Sequence, residues 1–189
     1  LDSPEYLEKA RRIRGSVLLL GTLLGRFGKA YLPKPGGDKI GRRNLDAHFH
    51  GFEKLGAKFT YNEDAGHFEI DGSHLEGAFI YMDEISVTGT GNVLMASVLT
   101  PGRTTIYNAA CEPYLQQLCK MLVGMGAKIS GIGSNMLVVE GVEQLHGTEH
   151  RCLPDMIEIG SFIGMAAMTQ SELTITNASV PDLGLILPT

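Results

Sequence analysis

The sequence predicts an α+β fold built from repeated helix–strand units. Three observations carry that expectation. First, the chain repeats itself: Leu55-Gly56-Ala57-Lys58-Phe59 returns as Met125-Gly126-Ala127-Lys128-Ile129 at a separation of 70, and Thr105-Ile106-Tyr107-Asn108-Ala109 returns as Thr174-Ile175-Thr176-Asn177-Ala178 at a separation of 69. Two independent matches at nearly one spacing point to duplication. Second, short strands follow one another more often than they alternate with helices, which argues against a doubly wound parallel sheet. Third, 43% hydrophobic and 20% charged residues over 189 positions is globular composition with enough chain for one sizeable core and part of another.

The elements follow in order. Ser3 suits an N-cap and Pro4 a first helical position, so a helix starts almost at once. The apolar run 17–24 is interrupted by Gly21 and Thr22 and is too short to span a bilayer. In the first copy, Leu45, Phe49, Phe52 and Leu55 share one helical face, and Gly56 sits where the helix should stop. Strands are expected near 58–61, 68–70 and 78–82, then a helix over 91–99 and a strand over 104–107. The second copy offers a helix over 113–125, strands at 128–130 and 137–139, a helix over 157–168 and a strand at 173–176. Such repeated units fit helices packed inside sheets by approximate symmetry.

A net charge of −5 gives no support for binding nucleic acid or an anionic membrane. Cys111, Cys119 and Cys152 form no CxxC pair and cannot all pair with one another, which suits a reduced, cytoplasmic protein. Cys111 and Cys119 are expected to be buried or inert. His48 and His50 are two apart on a helix and point apart, so no metal is expected there. The four other histidines read as solvated, and Met121, Met125, Met165 and Met168 as core filler. Gly131-Ile132-Gly133 lacks the third glycine of a dinucleotide-binding turn, and no cofactor is expected.

Chemistry concentrates in Lys34-Pro35-Gly36-Gly37-Asp38-Lys39-Ile40-Gly41-Arg42-Arg43, where glycines and basic residues surround one carboxylate. Glycines admit a ligand close to the backbone, and clustered Lys and Arg suit phosphate, although a solvated turn has the same composition.

This loop, with Arg14-Gly15-Ser16 and Gly25-Arg26-Phe27-Gly28 before it, resembles the enolpyruvyl transferases that act on UDP-N-acetylglucosamine. Met82-Asp83, Ser86-Val87, the stretch from Thr104 to Ala110, Glu112-Pro113, the stretch from Gly126 to Gly131, and Leu153-Pro154-Asp155 with Ile157-Glu158 extend the likeness over essentially the whole chain.

The resemblance implies an inside-out α/β barrel built from repeated βαβαββ units, incomplete in this chain. It also implies a reaction between UDP-N-acetylglucosamine and phosphoenolpyruvate, at the entry to peptidoglycan precursor synthesis. The sugar 3′-hydroxyl adds to C2 of phosphoenolpyruvate as C3 is protonated, and phosphate then leaves. Asp38 occupies the place of the family's usual loop cysteine and is expected to be the proton donor. Because fosfomycin alkylates that cysteine, resistance is expected.

Arg14 and Arg43 match arginines that contact the substrates. Arg43-Asn44-Leu45-Asp46-Ala47 matches a nucleotide-lining segment at a helix start, and Glu84-Ile85-Ser86-Val87 matches a second one. Glu84 stands in place of a usual lysine, Asn44 of a proline, and Cys111 and Met156 each of an arginine.

By the same resemblance, residues 1–153 are part of the domain carrying the catalytic loop, without its first repeat. Residues 154–189 are the hinge crossing and the start of a second domain. Both ends read as cuts, and the isolated piece is expected to be inactive. Its apolar tail needs cover, either in the place of the missing repeat or by exchange with a second copy. The sister enzyme acting on shikimate 3-phosphate and a noncatalytic UDP-sugar-binding module are the alternatives.

Overall fold

The computed structural model describes residues 2–38, 41, 44–184 and 186. It divides into two compact units, residues 1–148 and 149–189.

Unit 1 begins with helix α1 (Pro4–Arg12), whose N-cap Ser3 accepts from the Tyr6 amide at 3.2 Å as the sequence expects. A 3-10 turn (Arg14–Leu18) leads into α2 (Leu19–Phe27), so the apolar run is helical. Strand β1 (Lys29–Pro33) follows, an element the sequence reading did not anticipate. Its alternation is confined to Ala30 and Leu32, both fully buried, between a helix and a glycine-rich loop. The first copy then supplies α3 (Asp46–Lys54), β2 (Lys58–Asn62), β3 (His67–Asp71), β4 (Phe79–Tyr81), α4 (Val87–Ser97) and β5 (Arg103–Tyr107). The second supplies α5 (Pro113–Gly124), β6 (Lys128–Ser130) and β7 (Met136–Glu140).

The strands form two sheets. One is antiparallel in the order β1-β3-β2, with Tyr31 and Thr60 both opposite Glu69. The other has the order β4-β5-β7-β6, parallel between β4 and β5 and antiparallel elsewhere. Ile80, Ile106 and Leu137 lie in one row across it and are wholly buried, while Phe79, Tyr81, Tyr107 and Met136 face outward.

Helix α4 is buried along nearly its whole length, including Thr90, Asn92 and Ser97. Each of those polar groups has a partner: Thr90 Oγ1 accepts from the Ala110 amide, Ser97 Oγ donates to the Val93 carbonyl, and Asn92 bonds three neighbours. Burial without partners would cost about 1–3 kcal/mol per group. Against α4 packs α2, and contact is so close that a Cβ on Gly21 would lie 2.1 Å from the Asn92 carbonyl oxygen.

The repeat is carried into backbone geometry. Gly56 and Gly126 end α3 and α5 with φ of 99° and 101°, and Ala57 and Ala127 each donate at 2.9 Å to the carbonyl five residues back, on Phe52 and Leu122. This is the left-handed helix stop that glycine adopts without steric cost. Asn108 and Asn177, equivalent by the repeat, both have φ of 59°, a region asparagine tolerates.

In unit 2, helix α6 (Met156–Thr169) is capped by Asp155, which accepts from the amides of Ile157 and Glu158. The strand expected at 173–176 does not form, and the residues stay irregular up to a 3-10 turn (Val180–Leu183). Its counterpart β5 is held between β4 and β7, whereas no described strand lies beside 173–176, and an unpaired strand has no ladder to stabilise it. Met165 and Met168 are exposed and not core filler.

Candidate functional site

Four of the sequence-selected residues, Arg14, Asn44, Glu84 and Ser86, line one cavity of about 580 Å³ in unit 1, together with Gly15, Val17, Leu18, His48 and Thr88. Three segments bring them together: the 3-10 turn after α1, the start of α3, and the loop entering α4. Ser86 is the N-cap of α4, its hydroxyl accepting from the Gly89 amide at 3.1 Å. The same side chain therefore starts the helix and faces the cavity. A Cβ on Gly89 would meet Ser86 Oγ and Ala47 Cβ at 2.9 and 3.2 Å, so the start of α3 lies directly against that helix turn. The Arg14 guanidinium donates to the Asn44 carbonyl at 3.2 Å, joining two walls.

The remaining selected residues divide. Leu45 and Ala47 pack into the core, as does Val87; they shape the walls from behind. Asp46 and Ile85 are exposed and do not line the cavity. Asp38 is exposed, in a loop whose Gly36 and Gly37 lie on the backbone of 11–14. A Cβ on Gly36 would meet the Arg11 carbonyl at 2.0 Å, and one on Gly37 would meet the Arg14 amide at 3.2 Å. Thus the loop is anchored to the turn that supplies Arg14. Arg43, with Lys39, Ile40 and Arg42, lies outside the described residues.

His48 is the member that sequence reasoning missed, having been weighed only as half of a metal pair. It is 3% exposed, and its ring lies between Asn92 Nδ2 at 2.8 Å on Nδ1 and Thr88 Oγ1 at 3.3 Å on Nε2. Burial, and then the positive charge of Arg14, push its pKa down to about 4. It is therefore a neutral hydrogen-bonding group at neutral pH. The available signal was the helical spacing of His48 with Phe52 and Leu55, which places it on the buried face. His67, also expected to be solvated, is 5% exposed, with its ring edge-on to Tyr31.

Chemically, the cavity offers one guanidinium for anionic oxygens, two hydroxyls, a neutral imidazole, and one carboxylate from Glu84. Among the described residues no three His, Cys, Asp or Glu side chains come together to hold a metal. No described helix is long and apolar enough to cross a membrane. Cys119 is buried and its thiol pushed up to about 11 by that burial, while Cys111, expected to be buried or inert, is exposed.

The chain resembles proteins of known activity. A UDP-N-acetylglucosamine 1-carboxyvinyltransferase from Bacteroides fragilis is 64% identical over 186 residues, which is 98% of this chain and 43% of that protein. The protein of that name from Porphyromonas gingivalis is 63% identical over the same shares, and one from Treponema denticola is 53% identical over 95% of this chain and 41% of its own length. The chain thus spans less than half the length of these relatives.

Among solved structures, the enolpyruvyl transferase NikO from Streptomyces tendae matches with a TM-score of 0.69 at 22% identity, over 83% of this chain and 37% of that one. EPSP synthase from Acinetobacter baumannii matches with a TM-score of 0.66 at 19% identity, over 93% and 40%. These two bear on fold alone. The sequence model of EPSP synthase (3-phosphoshikimate 1-carboxyvinyltransferase) matches residues 2–184, and by that match the chain belongs to the EPSP synthase family.

Proposed function

We propose that this chain is the catalytic-loop portion of a UDP-N-acetylglucosamine 1-carboxyvinyltransferase, which transfers the enolpyruvyl group of phosphoenolpyruvate to the sugar 3′-hydroxyl. The observation that carries this reading is the convergence of Arg14, Asn44, Glu84 and Ser86 on one cavity, with the glycines that precede Asp38 packed on the turn that supplies Arg14. The names of the relatives at 63–64% identity support the choice of acceptor. The cavity takes the UDP-sugar, with Arg14 for anionic oxygens and the hydroxyls of Ser86 and Thr88 for polar groups. Glu84 supplies a carboxylate there, so charge recognition depends on Arg14 and on the basic residues of the loop.

In the reaction, the 3′-hydroxyl gives up its proton to solvent as its oxygen bonds to C2, while Asp38, as the carboxylic acid, delivers its own proton to C3. Loss of a C3 proton then expels inorganic phosphate and restores the double bond in the enolpyruvyl ether. Proton delivery requires Asp38 as the carboxylic acid while phosphoenolpyruvate is bound.

The test uses a protein of the relatives' full length carrying this chain, assayed for enolpyruvyl product with UDP-N-acetylglucosamine and with shikimate 3-phosphate. Product from the UDP-sugar alone, abolished by Asp38→Asn and retained by Asp38→Cys, is the expected result. Resistance to fosfomycin should be lost in Asp38→Cys, since a thiolate is by far the better nucleophile. Full activity of Asp38→Asn would remove Asp38 from the mechanism. Binding of UDP-sugar without turnover would favour a noncatalytic module. The 189-residue chain alone should form no product, because it spans 43% of the relatives' length.

A further inference from the structure

The hydrogen bonds around His48 have a determined direction, and a buried amide determines it. Asn92 reaches three groups from the centre of α4: its Oδ1 accepts from the Gly21 amide at 3.0 Å, and its Nδ2 donates to the Val17 carbonyl and to His48 Nδ1, each at 2.8 Å. The amide cannot be reversed. A backbone N–H only donates and a backbone carbonyl only accepts, so Gly21 and Val17 together place the oxygen and nitrogen of Asn92. Both hydrogens of Nδ2 are then committed, and the ring nitrogen facing them must be the one without a proton.

It follows that the single proton of the neutral ring is on Nε2, which faces Thr88 Oγ1 at 3.3 Å. A threonine hydroxyl that accepts from Nε2–H retains its own hydrogen to donate elsewhere. Thr88 is solvent-exposed and lines the cavity, whereas His48 and Asn92 are buried. The chain of bonds runs outward from Asn92 through His48 to Thr88 and ends at the cavity surface.

We propose that Asn92 is a positioning residue that holds His48 as its Nε2–H form and so turns the Thr88 hydroxyl to donate into the cavity, selecting an oxygen acceptor on the ligand at that point. Resting on the proposed function for the identity of that ligand, the acceptor is a phosphate or carbonyl oxygen of the UDP-sugar. A second proton on His48 would lie on Nδ1 against the Asn92 hydrogens, which agrees with the direction in which burial and Arg14 move its titration.

The experiment is a long-range proton–nitrogen correlation spectrum of the full chain labelled with nitrogen-15 in histidine, at neutral pH. The expected result is the Nε2–H form of His48 in the wild type and conversion to a ring protonated on Nδ1 in Asn92→Asp, whose carboxylate accepts where the amide donated. An Nδ1–H ring or a mixture of forms in the wild type overturns the inference, and that measurement needs no variant to fold. Retention of the unaltered Nε2–H form in a folded Asn92→Asp also overturns it.

In a protein of the relatives' full length, Thr88→Val should weaken UDP-N-acetylglucosamine binding about tenfold, the equivalent of one hydrogen bond of about 1.4 kcal/mol, while Thr88→Ser should not. Equal binding by Thr88→Val overturns the assignment of the donor. Absence of UDP-N-acetylglucosamine binding by the wild type itself, with His48 in the Nε2–H form, counts against the proposed function and not against the positioning of His48 by Asn92.

Discussion

Acidification should destabilise this chain through one buried imidazole. His48 titrates at about 4 in the fold and at 6.5 when unconstrained, held down by burial and then by Arg14. Because the folded value is the lower one, the unfolded chain binds more protons in the interval between them, and stability falls as pH falls. The loss begins near pH 6.5, accrues at about 1.4 kcal/mol per pH unit, and is complete below about pH 4. Its total is about 3 kcal/mol, a substantial fraction of the roughly 5–15 kcal/mol by which domains are stable. Above pH 6.5 His48 adds no pH dependence.

The assay is urea unfolding of wild type and His48→Asn across this range. The asparagine does not titrate, and its Oδ1 can accept from Asn92 as the ring nitrogen did. The wild type's advantage over the variant should be constant above pH 6.5 and shrink by about 3 kcal/mol on the way to pH 4. An advantage that stays the same at every pH would show that His48 protonates as readily in the fold as outside it, and the reasoning would fail.

Three further outcomes are expected. Gly21→Ala forces a methyl into the Asn92 carbonyl, 2.1 Å away, and should cost about 3 kcal/mol or more by urea unfolding, whereas Gly15→Ala, which meets nothing within 4 Å, should stay within about 0.5 kcal/mol of wild type. Ser86→Ala removes the cap of α4 and should cost about 1 kcal/mol, with Ser86→Thr recovering most of it. In a maleimide labelling time course at neutral pH, Cys111 and Cys152 should react and Cys119 only after denaturation, since it is buried and its thiol titrates near 11.

Local signals in the sequence located most elements because each had a physical cause within a few residues. Pro4 after Ser3 set the first helix start, and Gly56 and Gly126 set two helix ends. Helix α4 was legible only from residue 91, yet it begins at Val87. Thr88-Gly89-Thr90-Gly91 has poor helix propensity and reads as a loop, and burial overrides that preference. Strand β1 was missed because five residues between a helix and a glycine loop carry too little alternation, and pairing with β3 makes it a strand. The strand expected at 173–176 failed for the opposite reason: its pattern is present and a described partner is not.

The candidate site shows the same division. Arg14, Asn44, Glu84 and Ser86 could be named from sequence because the short segments that carry them resemble substrate-contacting segments of a known family. Their meeting in one cavity could not, since 72 positions separate Arg14 from Ser86 and only the packing of α3 and α2 against α4 closes the distance. For His48 the spacing with Phe52 and Leu55 signals burial, but nothing in the sequence names its hydrogen-bond partners. The sequence alone determined the repeat, the helix stops and the residues able to bind an anion, because these depend on side-chain type and short-range sterics. Only the tertiary structure decided that an amide at position 92 faces a ring at position 48, because hydrogen-bond direction depends on which donors and acceptors are buried together.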